Sequence, residues 1–92
     1  MAVEVKIPTI LRTYTDGQKT VNSTGSTLAE VIDDVDSRHP GLKDRIVESA
    51  GLRRFVNVYV NDEDVRFSGG LSAPIADDDV VVVLPAVAGG AH

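Results

Sequence analysis

Val3, Val5 and Ile7 alternate with Glu4 and Lys6, a period of two that puts three apolar side chains on one face of a strand. Pro8 closes that ladder or marks its edge, because proline has no N–H to donate. Leu11 to Asp16 leads into Gly17, a turn signal, and Gln18 to Asn22 reads as a second strand returning beside the first. Ser23-Thr24-Gly25-Ser26 is a polar break. Thr27 and Glu30 then stand three apart, the spacing of a capping box in which each side chain accepts the other residue's N–H. Leu28, Val31, Ile32 and Val35 follow at i, i+3, i+4 and i+7, one apolar helix face. Pro40-Gly41 ends this helix near His39, and Leu42, Ile46 and Val47 predict a short second helical turn.

The second half is strand-rich. Phe55 to Val60 predicts a strand with Val56, Val58 and Val60 on one face. Asn61-Asp62-Glu63-Asp64 reads as a tight turn into Val65-Arg66-Phe67, completing another hairpin. Ser68-Gly69-Gly70 is a break, after which Leu71 and Ile75 can plug the core from a connecting loop. Asp77-Asp78-Asp79 turns into Val80–Leu84, uniformly apolar and so expected to be a strand meant for cover on both faces. Pro85 closes it. The small residues and two glycines of 86–92 predict a flexible tail.

The order is ββαβββ, or ββαββ with short turns. A lone helix must bury its stripe against the sheet. The last strand fits beside the first, in the centre. This is an α+β, β-grasp (ubiquitin-like) architecture: a mixed four- to five-stranded sheet, one main helix across it, a domain over 1–85 and a tail over 86–92.

Composition narrows the chemistry. A chain of 92 residues makes one domain that buries roughly 60–65% of its unfolded surface, with little volume for a deep cavity. Aromatics are 4% of a chain that is 42% hydrophobic, so the core is aliphatic. A net charge of −5 argues against a nucleic-acid backbone as partner and suits docking on basic or mixed protein surfaces. The absence of cysteine removes disulfides, thiolate catalysis and Cys-ligated zinc. With two histidines there is no metal-ligand cluster, and His39 suits the end of a helix dipole. Asp62-Glu63-Asp64 and Asp77-Asp78-Asp79 lack EF-hand spacing, and no Lys-Ser/Thr follows Gly69-Gly70 as a phosphate cradle requires. No Ser/His/Asp set assembles. The expectation is a non-enzyme that binds no cofactor and no metal. No leader pattern and no apolar run near ~20 residues is seen, so neither export nor a membrane is expected, and the cytoplasm is the expected compartment.

The segment Asp79-Val80-Val81-Val82-Val83-Leu84-Pro85-Ala86-Val87-Ala88-Gly89-Gly90 resembles the C-terminus of the ThiS/MoaD sulfur carriers. Those end in an apolar strand, a proline, a Val-Ala pair and Gly-Gly. Ile7-Pro8-Thr9-Ile10-Leu11-Arg12, Arg54-Phe55-Val56-Asn57 and Tyr59 through Leu71 resemble the CysO-type branch, which supplies sulfide for cysteine synthesis. The similarity is weakest from about Pro40 to Leu52. One departure is clear: such chains end at the second glycine, and this one continues with Ala91-His92.

The resemblance implies that Gly90 carries the chemistry. A carboxylate is a poor acylating group, since its leaving group would be oxide. Adenylation by an E1-like partner using ATP supplies AMP instead, and a sulfur nucleophile then leaves a thiocarboxylate at Gly90. Val87, Ala88, Gly89 and Gly90 would thread into the partner, where glycines pass walls that a Cβ would meet. While Ala91-His92 is attached, Gly90 has no free carboxylate. A metalloprotease of the JAMM type would first cut the Gly90–Ala91 bond. The implied sulfur acceptor is a cysteine-synthase-type enzyme, with thiosugar, thiamine and molybdopterin assembly also open. Two other readings stand beside this one: a protein modifier joined through Gly90 to lysines, and a non-covalent β-grasp interaction domain. For docking, Val80–Leu84 presents side chains to both sheet faces while one helix covers only one. The uncovered face is expected to offer an apolar patch from Val82 and Leu84 with Phe55, Tyr59 and Phe67.

Overall fold

A computed structural model describes residues 2–49, 51–53 and 56–85; for Pro85 this extends to the backbone only. The alternating start forms β1 (Val3–Lys6), with Val3, Val5 and Ile7 buried. A 3-10 segment over Thr9–Thr15 follows, and β2 (Thr20–Ser23) returns antiparallel to β1, pairing Lys6 with Thr20 and Val3 with Ser23. This strand starts two residues later than the sequence predicts. Gln18 N–H is drawn instead into a turn bond to the Thr15 carbonyl at 3.0 Å.

Helix α1 (Leu28–Arg38) buries Leu28, Val31, Ile32 and Val35, the four-residue stripe expected. Its start differs from a reciprocal capping box. Thr27 Oγ1 accepts the Glu30 N–H at 3.3 Å, but the Glu30 carboxylate reaches one residue further back, accepting the Ser26 N–H at 2.8 Å and the Ser26 hydroxyl at 2.9 Å. Gly25 is fixed by this approach: a Cβ there would sit 2.8 Å from the Val31 nitrogen. Helix α2 (Leu42–Ile46) stops one residue short of the expected turn, because Val47 opens a two-residue hairpin, β3 (Val47–Glu48) with β4 (Gly51–Leu52).

Strand β5 (Val56–Val60) leads into a two-residue turn in which Asn61 and Asp62 both take left-handed φ, 51° and 72°. Only Glu63 and Asp64 pair back, as β6. The expected strand over Val65–Phe67 is instead a 3-10 turn. Asp64 accepts the Arg66 N–H at 2.9 Å, curling the chain, and Val65 drops fully into the core. The Arg66 guanidinium then donates to the Val56 carbonyl at 2.6 Å and to Asn57 Oδ1 at 2.9 Å. After a second 3-10 turn (Gly70–Ser72), β7 (Val80–Pro85) closes the sheet.

The sheet order is β2-β1-β7-β5-β6, with β7 parallel to β1 and antiparallel to β5. The last strand therefore lies in the centre beside the first, as the pattern implies. The core between sheet and helices is aliphatic, and the residual space among Val5, Leu28, Val31, Val58 and Val81 is about 10 Å³. That is at the lower limit for a single water, so no ligand fits inside.

Two carboxylates pin the frame. Asp34 accepts from the Ser23 hydroxyl at 2.8 Å, the Thr24 N–H and Arg38, tying β2 to α1. Asp79 accepts from Ala76 N–H and Asn61 Nδ2, both at 2.8 Å, while Asn61 Oδ1 accepts the Val80 N–H at 3.0 Å. The register of β7 is thus fixed at its first residue.

Two expectations follow. Leu28→Ala should cost about 2–5 kcal/mol, a large share of the 5–15 typical of a domain; urea unfolding should show a lower midpoint at unchanged slope. The second concerns acid. Hydrogen bonds hold Asp79 below its ordinary carboxylate value, the Ala76 N–H first and the Asn61 amide second. A depressed folded pKa gives stability that is present above the unfolded value and lost as pH falls through the folded one. Thermal midpoints should therefore drop between pH 7 and pH 3, and the drop should be smaller for Asp79→Asn.

Candidate functional site

Val87, Ala88, Gly89, Gly90 and the Gly90–Ala91 bond lie outside the described residues, as does Phe55. What is described is the strand that delivers them. On one side β7 pairs with β5 to its end, Val56 opposite Pro85 and Asn57 opposite Leu84. On the other side its pairing with β1 runs only from Glu4–Val80 to Lys6–Val82. Ile7 bonds to the Lys19 carbonyl at 2.8 Å, and Pro8, with no N–H, turns the chain away. The end of β7 is therefore held by one neighbour, with open space beside Leu84.

Strand alternation sorts the side chains. Val81 and Val83 are buried beneath the helix, whereas Val82 and Leu84 face the uncovered side, Leu84 being 43% exposed. Register sets Val82 between Lys6 and Tyr59 across the sheet. Tyr59, Asp62, Val82 and Leu84 line a shallow open hollow of about 250 Å³. Three of the five residues expected to form a docking patch thus meet. Phe67 is 86% exposed on the 3-10 turn after β6 and does not line that hollow. Ile10, which the sequence reading passed over, is 66% exposed in the segment after β1. The signal was in the Ile10-Leu11 pair: in a tight turn only one of two adjacent apolar residues can reach the core, and Leu11 does.

The shifted titratable groups belong to the frame. Glu30 is lowered chiefly by the Ser26 N–H, Asp34 chiefly by the Ser23 hydroxyl, and Lys43 is raised chiefly by its bond to Asp33. None of them lines the hollow. Among the described residues no cluster of three or more His, Asp or Glu could hold a metal ion, and no helix is long and apolar enough to cross a membrane. What the arrangement offers is a fixed strand end beside an apolar face.

Comparison with known proteins accords with that geometry. The sulfur carrier protein CysO of Mycobacterium tuberculosis is 56% identical over 93 aligned positions, spanning 98% of this chain and 100% of that one. The chain superimposes on a chain of the Amycolatopsis orientalis BexX/CysO complex with a TM-score of 0.93 and 63% identity, covering 97% of this chain and 100% of the other. Small archaeal modifier protein 3 of Haloferax volcanii is 32% identical over 65 residues, 71% of each chain. The profile of the ThiS family matches residues 5–90, from β1 to the second glycine of the tail. By sequence and by fold, this chain belongs to the ThiS family.

Proposed function

We propose that this protein carries sulfide as a thiocarboxylate on Gly90. The observation that carries the reading is the 56% identity to a named sulfur carrier over nearly the whole chain, within a family match that runs through Gly89 and Gly90. Carriage on the main-chain carboxyl needs no nucleophilic cysteine, so a chain without one is no obstacle to it. After removal of Ala91-His92 by a metalloprotease, the Gly90 carboxylate attacks the α-phosphorus of ATP on an E1-like enzyme, giving acyl-adenylate and pyrophosphate. Hydrosulfide attacks the acyl carbon, AMP leaves with the electron pair of the C–O bond, and a proton is released as the thiocarboxylate forms. The acceptor is a biosynthetic enzyme of the cysteine-synthase type, consistent with the CysO likeness; thiosugar, thiamine and molybdopterin assembly are the other acceptor classes. The structure of a relative in a BexX/CysO complex supports docking of such carriers on a protein partner. Tyr59, Val82 and Leu84 form the apolar part of that docking face.

A second reading has one specific observation behind it, the 32% identity to an archaeal modifier protein. The same acyl-adenylate would then pass to a lysine amine, giving an amide.

Intact-mass analysis separates these readings. The chain ending at Gly90, incubated with the activating enzyme, ATP and sulfide, should exchange one oxygen for sulfur, while the chain ending at His92 should not change. Isopeptide-linked adducts on partner lysines, without any thiocarboxylate, would favour the modifier. For docking, Leu84→Asp should weaken binding to the activating enzyme about tenfold, the lower range for a central interface residue, with an unchanged thermal midpoint. Unaltered binding would remove Leu84 from the interface.

A further inference from the structure

A second, larger hollow opens on the other flank of Val82 and Leu84. It is a groove of about 590 Å³ between the end of β1 and the 3-10 segment, lined by Lys6, Ile10, Arg12, Lys19, Val82 and Leu84 among others. The chain as a whole has 14 acidic and 9 basic residues. Yet every charged side chain on this groove is cationic, and no acidic residue lines it.

Four cations outside the groove are engaged: Arg38 pairs with Asp34, Lys43 with Asp33 and Arg53 with Glu48, while Arg66 donates to the Val56 carbonyl. Arg45 on α2 has no such partner among the described residues, but it stands apart from the groove, with Asp44 beside it in sequence. In the groove, Arg12 spends its Nε on the Ile7 carbonyl at 3.1 Å. Lys6 and Lys19 have neither an ion pair nor a side-chain hydrogen bond among the described residues. Their backbones are fixed beside each other, Lys6 on β1 by its register with Thr20 and Lys19, just before β2, by the Ile7 N–H bond to its carbonyl. Two unneutralised ammonium groups thus flank an apolar floor that includes an Ile10 left 66% exposed.

We propose that this groove receives an acidic segment of the enzyme that takes the tail. An apolar side chain of that segment seats on Ile10, Val82 and Leu84, between carboxylates paired with Lys6 and Lys19. The assignment rests on the sulfur-carrier reading and adds to it the charge of the partner. Continuity favours this occupant: Val82 and Leu84 line both hollows, and an enzyme that grips the chain just beyond Pro85 must cover them. Charge favours it too. A chain of net charge −5 repels an acidic surface overall, so a groove whose charged lining is wholly cationic would orient the encounter.

The test is the association rate of the chain ending at Gly90 with the ATP-dependent activating enzyme of the same organism. Between ionic strengths of about 0.01 M and 1 M the Debye length shrinks from about 30 to 3 Å. The rate should fall about tenfold or more across that range. At low salt Lys19→Glu should reduce it severalfold, and Lys19→Gln less. Arg45→Glu on α2 makes the same charge change as Lys19→Glu, away from the groove; it should leave the rate nearly unaltered. Circular dichroism melting of each variant guards against misfolding. A rate indifferent to salt overturns the proposal, as does a loss from Arg45→Glu equal to that from Lys19→Glu. Adenylate formation by the unaltered chain is scored in parallel. Its absence sinks the carrier reading and the groove's partner together, whereas its presence with salt-independent association sinks the groove alone.

Discussion

The parallel pairing of β1 with β7 is the constraint from which the rest of the molecule follows. Parallel neighbours cannot be joined by a tight turn, so the chain between them must cross over. Here everything from Ile7 to Asp79 serves as that connection, carrying β2, the helices that cover the buried face and the β3–β4 and β5–β6 hairpins. Insertion between β1 and β5 gives β7 backbone partners on both sides at Val81 and Val82, but the helices cover one face only, so the apolar run expected to be covered on both leaves Val82 and Leu84 on the open side. The cluster of Asp79, Asn61 and Ala76 then decides the register, and a one-residue slip would bring Val82 and Leu84 into the core and expel Val81 and Val83.

Much of this was legible in the pattern of apolar positions. The period-two run of Val3 to Ile7, the stripe of Leu28, Val31, Ile32 and Val35, and the uniform Val80–Leu84 each correspond to an observed element, because each is long enough for burial to dominate. The misreadings fall where short-range hydrogen bonds outweigh periodicity. Val65-Arg66-Phe67 has a strand-like composition, but the Asp64 carboxylate captures the Arg66 N–H and turns the chain. Thr9–Thr15 carries no helical spacing, and its 3-10 form follows from Pro8 directing the chain off the sheet edge.

The site was legible to a different extent. That Tyr59, Val82 and Leu84 would share a face follows from strand alternation and from the central place of β7. That Phe67 would stand apart from their hollow depended on the turn after β6, which composition did not reveal. The basic groove was hidden for another reason. Lys6, Ile10 and Lys19 come from three separate segments, and only the strand register brings them together. On the proposed carrier reading, recognition and chemistry are divided: side chains on the sheet would set the partner, and backbone beyond the sheet would react.

The central position of β7 also bears on synthesis. A chain growing from its N-terminus makes this strand after every other described element, so β1 and β5 wait without their shared neighbour until residues 80–85 have been made. Their exposed edges are the kind that invite aggregation, and a ribosome that stops before residue 80 leaves a product with no closed sheet. The sheet thus closes only in a chain made as far as residues 80–85, and a product that lacks them keeps the facing edges of β1 and β5 apart and unpaired.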